Sequence, residues 1–325
     1  MDSPWCGIRR RYRATGAAKC HAATMATGTS KRRTTSPLVA VKPACKPLRD
    51  MYEWAEAGLP KTWNEIEEPF VRAMEAFDAN VASGLADIGD LQNGKGDSFN
   101  DLLSLLLENC AGVDLYSRGG VPGFIFANHN LDVTYPNTGV VKFTLEAKAV
   151  GTPRHRLSPK QKPIGRPGSA DLAKRVKEVA FKTIDLKAEH GRLMAMQGQS
   201  PEVQPGGNLT TWLRSVRPSA YLFIAARVVS TRDLDAVVAF AHTAAQVEDG
   251  VGVFCFGPSG LGKPTTYRAM PVPVDLSIDR VLYRACQDLA ALKHEAPVPI
   301  VAGESPAIAA EQAAAGATQA VTGEH

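Results

Sequence analysis

The sequence predicts an α/β fold in which a mixed central sheet is flanked by helices. A helix, three extended segments, a second helix, a strand, a third helix and a final strand follow one another along the chain, the order of a mixed α/β layer architecture. With 44% hydrophobic residues in 325, the chain can bury a sizeable core. Its most apolar run, 220–229, contains Arg227 and falls short of the roughly 18 to 20 apolar residues of a membrane helix. We therefore expect no membrane partner.

The N-terminal segment, residues 1–47, is predicted to be disordered. It shows no hydrophobic periodicity, and residues 1–48 hold ten Lys or Arg against one acidic residue. Three interpretations remain open: a basic arm that contacts phosphates, an organelle transit peptide, or a misannotated extension upstream of Met25. We favour the extension or a dispensable arm.

Residues 48–92 are expected to form a helical cap. Two stretches on either side of Pro60 carry apolar side chains at helical spacing, which is typical of core-facing helices. The first has Leu48, Met51, Trp54 and Ala55, and the second has Trp63, Ile66, Phe70, Met74 and Phe77. This pattern predicts a helical hairpin without a catalytic role, covering a main domain at 93–292.

The main domain is predicted to begin with a helix and a hairpin. Leucines make the helix from about Phe99 to Cys110 apolar on more than one face, so it should be largely buried. Extended patterns over 121–135 and 140–150 then flank a Pro-Asn-Thr-Gly turn at 136–139, whose Asn and Gly accept positive φ. The two extended runs should therefore pair antiparallel.

The remaining elements complete the α/β order. We predict a long amphipathic helix at 169–196, a strand at 221–229, a helix at 234–247, a strand at 251–256 and a flexible tail at 293–325. The apolar side of the long helix comprises Leu172, Val176, Val179, Ala180, Ile184 and Leu186.

The second strand of the hairpin carries the strongest chemical signal. Successive side chains of a strand alternate between faces. One face is apolar, with Val141, Phe143, Leu145, Ala147 and Ala149, and the other has Lys142, Thr144, Glu146, Lys148 and Val150. The strand can thus be anchored in a core while it presents Glu146 and Lys148 together. The hairpin brings Asp132, on the first strand, beside that polar face.

Two converging carboxylates, Asp132 and Glu146, suit Mg²⁺, which binds through one or two carboxylates and keeps several waters. Such an ion polarises a phosphate and stabilises the leaving oxygen, while Lys148 offsets developing negative charge. A lysine beside two carboxylates is favoured in its charged form, so the expected role of Lys148 is electrostatic. The residues therefore predict a magnesium cofactor and phosphodiester chemistry.

An Asp followed, after a hairpin, by Glu-x-Lys resembles the PD-(D/E)XK nuclease superfamily, which includes most type II restriction endonucleases. The resemblance covers roughly residues 95–256, and Leu131 stands where the motif's name has Pro. It implies a restriction-endonuclease-like core, metal binding by Asp132 and Glu146, and assistance from Lys148. For the acidic residue that many members place on the first helix we prefer Glu108; Asp97, Asn100 and Asp101, near the helix start, are alternatives.

The function implied is a Mg²⁺-dependent endonuclease that cuts double-stranded DNA, of the type II restriction-like class, acting as a homodimer. A DNA repair or recombination nuclease and a non-catalytic DNA-binding module are the alternatives. Residues 148–192 hold twelve Lys or Arg against four acidic residues. Within this stretch we expect six side chains to contact DNA: Arg154, His155, Arg156, Lys160, Gln161 and Lys162.

Residues 257–263 follow a strand and fit a phosphate-binding loop, except that Pro264 replaces the Ser or Thr that binds Mg²⁺. A turn between two strands is the better explanation, so we expect no nucleotide cofactor. The six cysteines lie far apart without zinc-ligand spacing, and Cys110 and Cys255 have apolar surroundings. We therefore expect buried thiols, a reducing compartment and a cytoplasmic location.

Overall fold

A computed structural model of the protein describes residues 30–35, 37, 42–155, 164–196, 209–258 and 266–295. Its helices are Lys46–Gly58 (α1), Glu67–Ala82 (α2), Lys95–Ala111 (α3), Leu172–Met196 (α4), Leu209–Ser215 (α5), Thr231–Ala244 (α6) and Ile278–Leu292 (α7). Its strands are Ser30–Arg32 (β1), Tyr116–Val121 (β2), His129–Tyr135 (β3), Phe143–Val150 (β4), Thr152–His155 (β5), Ile164–Arg166 (β6), Ser219–Arg227 (β7), Gly250–Pro258 (β8) and Tyr267–Met270 (β9). Among these described residues, no helix is long and apolar enough to cross a membrane.

The central sheet is mixed, as the sequence predicts. In the described part of the chain it has seven strands in the order β1-β2-β3-β4-β7-β8-β9. Strands β1 to β4 form an antiparallel meander, β7 and β8 run parallel to β4, and β9 is antiparallel to β8. Parallel neighbours need long connections, and α4 and α6 supply them. Strand β4 is therefore the junction between the two halves of the sheet.

One face of the sheet packs against α2, α3 and α7, and α1 packs on α2 and α3 in the same core. Phe143, Leu145 and Ala147 of β4 belong to this core. They are three of the residues that strand alternation assigns to the apolar face. Their burial in this core anchors β4, because apolar surface removed from water contributes roughly 25 cal/mol per Å².

The opposite face of the sheet packs against α4 and α6. Leu222 of β7 and Val253 of β8 lie in this second core with Val176 and Val179 of α4. Ser230 caps the start of α6 by accepting a hydrogen bond of 3.2 Å from the amide of Asp233. Glu146 pairs in register with Leu222, so Glu146 faces α4.

The N-terminal segment differs from the expectation of a disordered arm over 1–47. Residues 30–32 form the edge strand β1, and the side chains of Arg33 and Thr34 are buried. Ala44 and Cys45 are fully buried in the first core. A charged Lys-Arg-Arg run has no apolar alternation, so its pairing with β2 could not be read from the pattern.

Cys110 and Cys286 form a disulfide between α3 and α7, with Cα atoms 6.2 Å apart. The sequence interpretation of Cys110 as a free buried thiol is therefore wrong. Disulfides are rare in reducing compartments, so this bond also opposes the expected reducing environment. Cys45 and Cys255 are free and buried, and burial raises the pKa of Cys255 to about 12.

The glycine-rich segment after β8 connects two antiparallel strands. Cys255 pairs with Met270 and Pro258 pairs with Tyr267. Residues 259–265 lie outside the described part of the chain. Strand β9 comes directly after them, whereas a phosphate-binding loop opens a helix. The turn predicted for this segment therefore lies outside the described residues, and only its flanking strands are defined.

Candidate active site

Asp132 and Glu146 lie at the junction of β3 and β4. The two strands are antiparallel, and Val133 pairs with Leu145. Asp132 and Glu146 are the next residues on their respective strands. The predicted hairpin therefore forms, and it places the two predicted metal ligands beside each other.

Glu146 is held between two lysine ammonium groups. Lys148 Nζ donates a hydrogen bond of 2.6 Å to Glu146 Oε2, and Lys182 Nζ of α4 donates one of 2.5 Å to Oε1. The Glu146 residue is 4% exposed. Burial alone would raise the pKa of Glu146, but the charges of Lys148 and Lys182 outweigh it and hold that pKa below its ordinary value.

Asp132 is the open member of the carboxylate pair. Its side chain is 44% exposed, and Lys148 Nζ lies 3.9 Å from its Oδ2. Partial burial, and then the charge of Glu146, raise the pKa of Asp132 above its ordinary value. Lys148 thus contacts both carboxylates, as its predicted electrostatic role requires.

Strand β3 is irregular around Asp132. Leu131 packs with Leu186 of α4, whereas Val133 belongs to the core on the other side of the sheet. Residues two apart in a regular strand share a face, so the alternation changes at Asp132. The direction of this side chain could not be predicted from sequence periodicity.

Lys182 was not among the predicted site residues. Besides its contact with Glu146, its Nζ donates a hydrogen bond of 3.0 Å to the carbonyl oxygen of Asn130 on β3. Lys182 therefore ties α4 to both strands of the site. The only sequence signal was its place in the basic stretch 148–192, because no spacing rule links Glu146 to a helix residue so far along the chain.

Glu108 does not join the site, which corrects the preferred choice of helix-borne ligand. One of its carboxylate oxygens accepts a hydrogen bond of 2.7 Å from the amide of Leu115. The other accepts from Thr34 and lies 3.6 Å from Arg32. Glu108 thus joins the C-terminal end of α3 to strand β1 and has a structural role.

The start of α3 is the end that lies near the site. Burial raises the pKa of Asp97; Arg33 opposes this rise, and Asp132 adds to it. Asp101 is fully buried, with Oδ1 3.1 Å from Nε of the buried Arg33. Asp97, near the start of α3, is thus close enough to Asp132 for the two charges to interact.

The predicted DNA-contacting segment begins as a strand. Arg154 and His155 belong to β5, which pairs with β6 in a small two-stranded sheet. Arg156, Lys160, Gln161 and Lys162 lie outside the described residues. A cavity of about 540 Å³ lies at the end of β4, with Ala149, Lys95, Arg166 and Arg175 among its lining residues.

His129 is part of a structural network rather than of the carboxylate site. Its Nε2 lies 2.7 Å from Oδ2 of Asp185, a buried residue of α4. Asp185 also accepts hydrogen bonds of 2.6 Å and 3.1 Å from the amides of Ile125 and Phe126. These contacts give His129 a structural role.

No protein-family model, curated protein or solved structure matches this chain. The likeness to the PD-(D/E)XK superfamily therefore rests on the residues and geometry of the chain itself.

The two carboxylates of the site fit a magnesium ion that takes its other ligands from waters and substrate phosphates. Within the described residues no group of three or more His, Cys, Asp or Glu side chains could hold a metal ion. Two carboxylates are present, and Asp132 is half-exposed and repelled by Glu146. Mg²⁺ commonly uses one or two carboxylates with waters and substrate phosphates. Asp132 and Glu146 are the residues that would hold it.

Proposed function

We propose that the protein is a Mg²⁺-dependent endonuclease that hydrolyses phosphodiester bonds of DNA. One observation carries this proposal: Asp132 and Glu146 adjoin on paired strands, and Lys148 contacts both of them. Paired carboxylates beside a lysine suit hydrolysis of a phosphodiester, because the lysine charge stabilises the negative charge that develops on phosphate oxygens.

The residues of the chain have distinct roles in this proposal. Lys148 and Lys182 hold two positive charges against Glu146 in a poorly solvated position, where electrostatic interactions are strong. The more exposed Asp132 faces solvent and the arriving substrate. A Mg²⁺ ion bound by Asp132 and Glu146 would polarise the scissile phosphate and stabilise the leaving oxygen.

The surroundings of the site support a polyanionic substrate. The cavity at the end of β4 is lined by Lys95, Arg166 and Arg175, with Asp171 as an acidic neighbour. Arg175 and Lys182 are seven residues apart on α4, so they lie on the same side of that helix. Contacts between such cationic side chains and phosphates would supply the sequence-independent part of DNA binding.

The proposal includes double-stranded DNA as the substrate, type II restriction-like specificity and a homodimer. Paired cuts at a symmetric site would need two copies of the site related by twofold symmetry. A repair or recombination nuclease is the nearest variant, and a non-catalytic DNA-binding module is the alternative from another class.

Cleavage of plasmid and linear duplex DNA, with Mg²⁺ or with EDTA, tests the proposal. We expect the wild-type protein to cut only with Mg²⁺, and Glu146→Gln and Lys148→Met to cut at least roughly 100-fold more slowly while still binding DNA. Discrete fragments would indicate sequence-specific restriction, whereas cuts confined to branches or lesions would indicate repair.

Asp275→Asn is the matched control, since Asp275 is an exposed carboxylate that pairs with the half-exposed His242. It should cut at the wild-type rate. Wild-type protein that binds DNA without cutting it would favour the binding-only alternative. Glu146→Gln protein that cuts normally would instead contradict the role assigned to Glu146.

A further inference from the structure

Five apolar side chains are exposed together beside the candidate site. Phe124, Ile125 and Phe126 occupy the loop between β2 and β3, and Phe181 and Ile184 lie on α4. The ring centroids of Phe126 and Phe181 are 5.3 Å apart in an edge-to-face arrangement. We call these five residues the aromatic platform. Ile184, predicted to face the core, is instead exposed.

The loop that carries the platform has a defined shape. Both carboxylate oxygens of Asp185 accept hydrogen bonds from backbone amides at 125 and 126, and the amide of Phe124 donates to the carbonyl of Asp185 at 3.2 Å. A Cβ atom on Gly123 would clash with an Asp185 carboxylate oxygen, so only glycine permits this approach. A buried carboxylate therefore fixes the backbone that carries the exposed rings. Preorganisation of this kind lowers the entropy lost on binding.

The platform is continuous with the charged groups of the site. Phe181 directly precedes Lys182, whose ammonium group contacts Glu146. On β3, His129 lies 6.2 Å from the Phe126 ring between centroids, and the carbonyl of the next residue, Asn130, accepts from Lys182. A ligand at the candidate site therefore has aromatic rings within reach on one side and cations on the other.

We propose that the aromatic platform binds unpaired nucleobases of the strand whose phosphate enters the site. Aromatic rings stack on any base, and cations beside them hold the backbone, which is how single-stranded nucleic acid is bound without sequence preference. The inference rests on the proposed nuclease function. It favours the repair or recombination variant of that function over the restriction-like one, because the substrate has unpaired bases at the cut, as at a junction of single and double strands.

Charge favours a nucleic-acid strand over a second copy of the chain. Helix α4, which carries Phe181 and Ile184, holds six Lys or Arg against three acidic residues. A twofold contact would place this basic surface against itself, and like charges across an interface are unfavourable. A polyanion with flat bases complements both the charge and the rings.

Fluorescence anisotropy with a labelled oligothymidine of about 12 nucleotides, and with a duplex of the same length, tests the platform. Both are measured in EDTA, so cleavage does not interfere. We expect the double variant Phe126→Ala/Phe181→Ala to bind the single strand roughly tenfold or more weakly and the duplex as the wild type does. Phe126→Tyr/Phe181→Tyr keeps both rings and should retain single-strand binding.

Trp54→Ala is the control, because Trp54 is a half-exposed aromatic residue on α1, at the other face of the sheet. If the alanine double variant kept the single-strand affinity of the wild type, the proposal that the platform binds unpaired bases would be wrong. Sedimentation analysis showing that the wild type is a dimer and the double variant a monomer would also overturn it, because a second copy would then cover the rings. Failure of the wild type to cut DNA with Mg²⁺ would instead contradict the proposed function.

Discussion

Glu146 on β4 and Lys182 on α4 form an ion pair of 2.5 Å across 36 residues of sequence. Together with Lys148 on the same strand as Glu146, the pair leaves neither carboxylate oxygen of Glu146 without a positively charged partner. A cation that binds Glu146 must therefore compete with a lysine for one of these oxygens.

Lys182→Met should bind Mg²⁺ about tenfold more tightly than the wild type. Removing one charge-assisted hydrogen bond, of roughly 1.5 to 3 kcal/mol, frees Glu146 Oε1 for the ion. Isothermal titration with MgCl₂ measures this. Lys174→Met, at an exposed position on the same helix, should leave the affinity unchanged. Equal or weaker affinity in Lys182→Met would show that Mg²⁺ does not use Glu146.

Glu248→Gln should remove part of the pH dependence of folding stability. Burial raises the pKa of Glu248 to about 8, against an ordinary value of 4.5. Within the described residues its Oε1 has no hydrogen-bond partner. Between pH 4.5 and 8 the folded state keeps the proton and the unfolded state does not, so this contribution to stability is complete below pH 4.5 and is lost as the pH rises to 8.

Urea unfolding at several pH values in this range measures the effect. The slope contributed by a single such group approaches about 1.4 kcal/mol per pH unit, and Glu248→Gln should flatten it. Glu68→Gln, at an exposed position, should not. An unchanged slope in Glu248→Gln would mean that this carboxyl group titrates normally.

Cys286→Ser should lower the free energy of unfolding by about 2 to 4 kcal/mol, because it removes a cross-link between α3 and α7. Peptide mapping of unreduced protein should recover the Cys110–Cys286 cross-link. The disulfide would be contradicted if both residues were recovered as free thiols and a reductant left the stability unchanged.

Deletion of residues 1–35 should lower the unfolding free energy below that of a protein that lacks only residues 1–24. The longer deletion removes β1 and Arg33, whose guanidinium pairs with the fully buried Asp101. A buried charge without its partner is destabilising by roughly 3 to 5 kcal/mol. Equal stability of the two truncated proteins in urea would show that β1 is dispensable.

Arg175→Glu should weaken duplex binding and reduce its dependence on salt. Arg175 lines the cavity at the end of β4, and each lost phosphate contact lowers the slope of log K against log salt concentration by about 0.9. Anisotropy at several salt concentrations measures the slope. Arg280→Glu, at an exposed position on α7, should keep it. An unchanged slope in Arg175→Glu would exclude a phosphate contact there.

Local patterns were sufficient for strands β4, β7 and β8 and for the hairpin of β3 and β4. Alternation identified the apolar face of β4, and a turn sequence at 136–139 predicted the pairing that brings Asp132 to Glu146. These features depend on residues close together in sequence, where periodicity and turn preferences carry most of the information.

The features that the sequence did not predict depend on distant contacts. Lys182 reaches Glu146 from another element, and the disulfide joins residues 176 positions apart. Glu108 and Asp97 lie on the same predicted helix, and only the position of α3 against β3 and β1 decides which end approaches the site. For Asp132, a local irregularity of β3 overrides the regular alternation.

Asp185 holds the loop between β2 and β3 through backbone amides, not through the side chains at 124–126. The shape of that loop is consequently independent of what those three side chains are, provided that Gly123 and Asp185 are kept. The side chains at 124–126 can therefore be substituted while the loop keeps its backbone shape. Exchanging residues 124–126 should change what the protein recognises without altering strands β3 and β4.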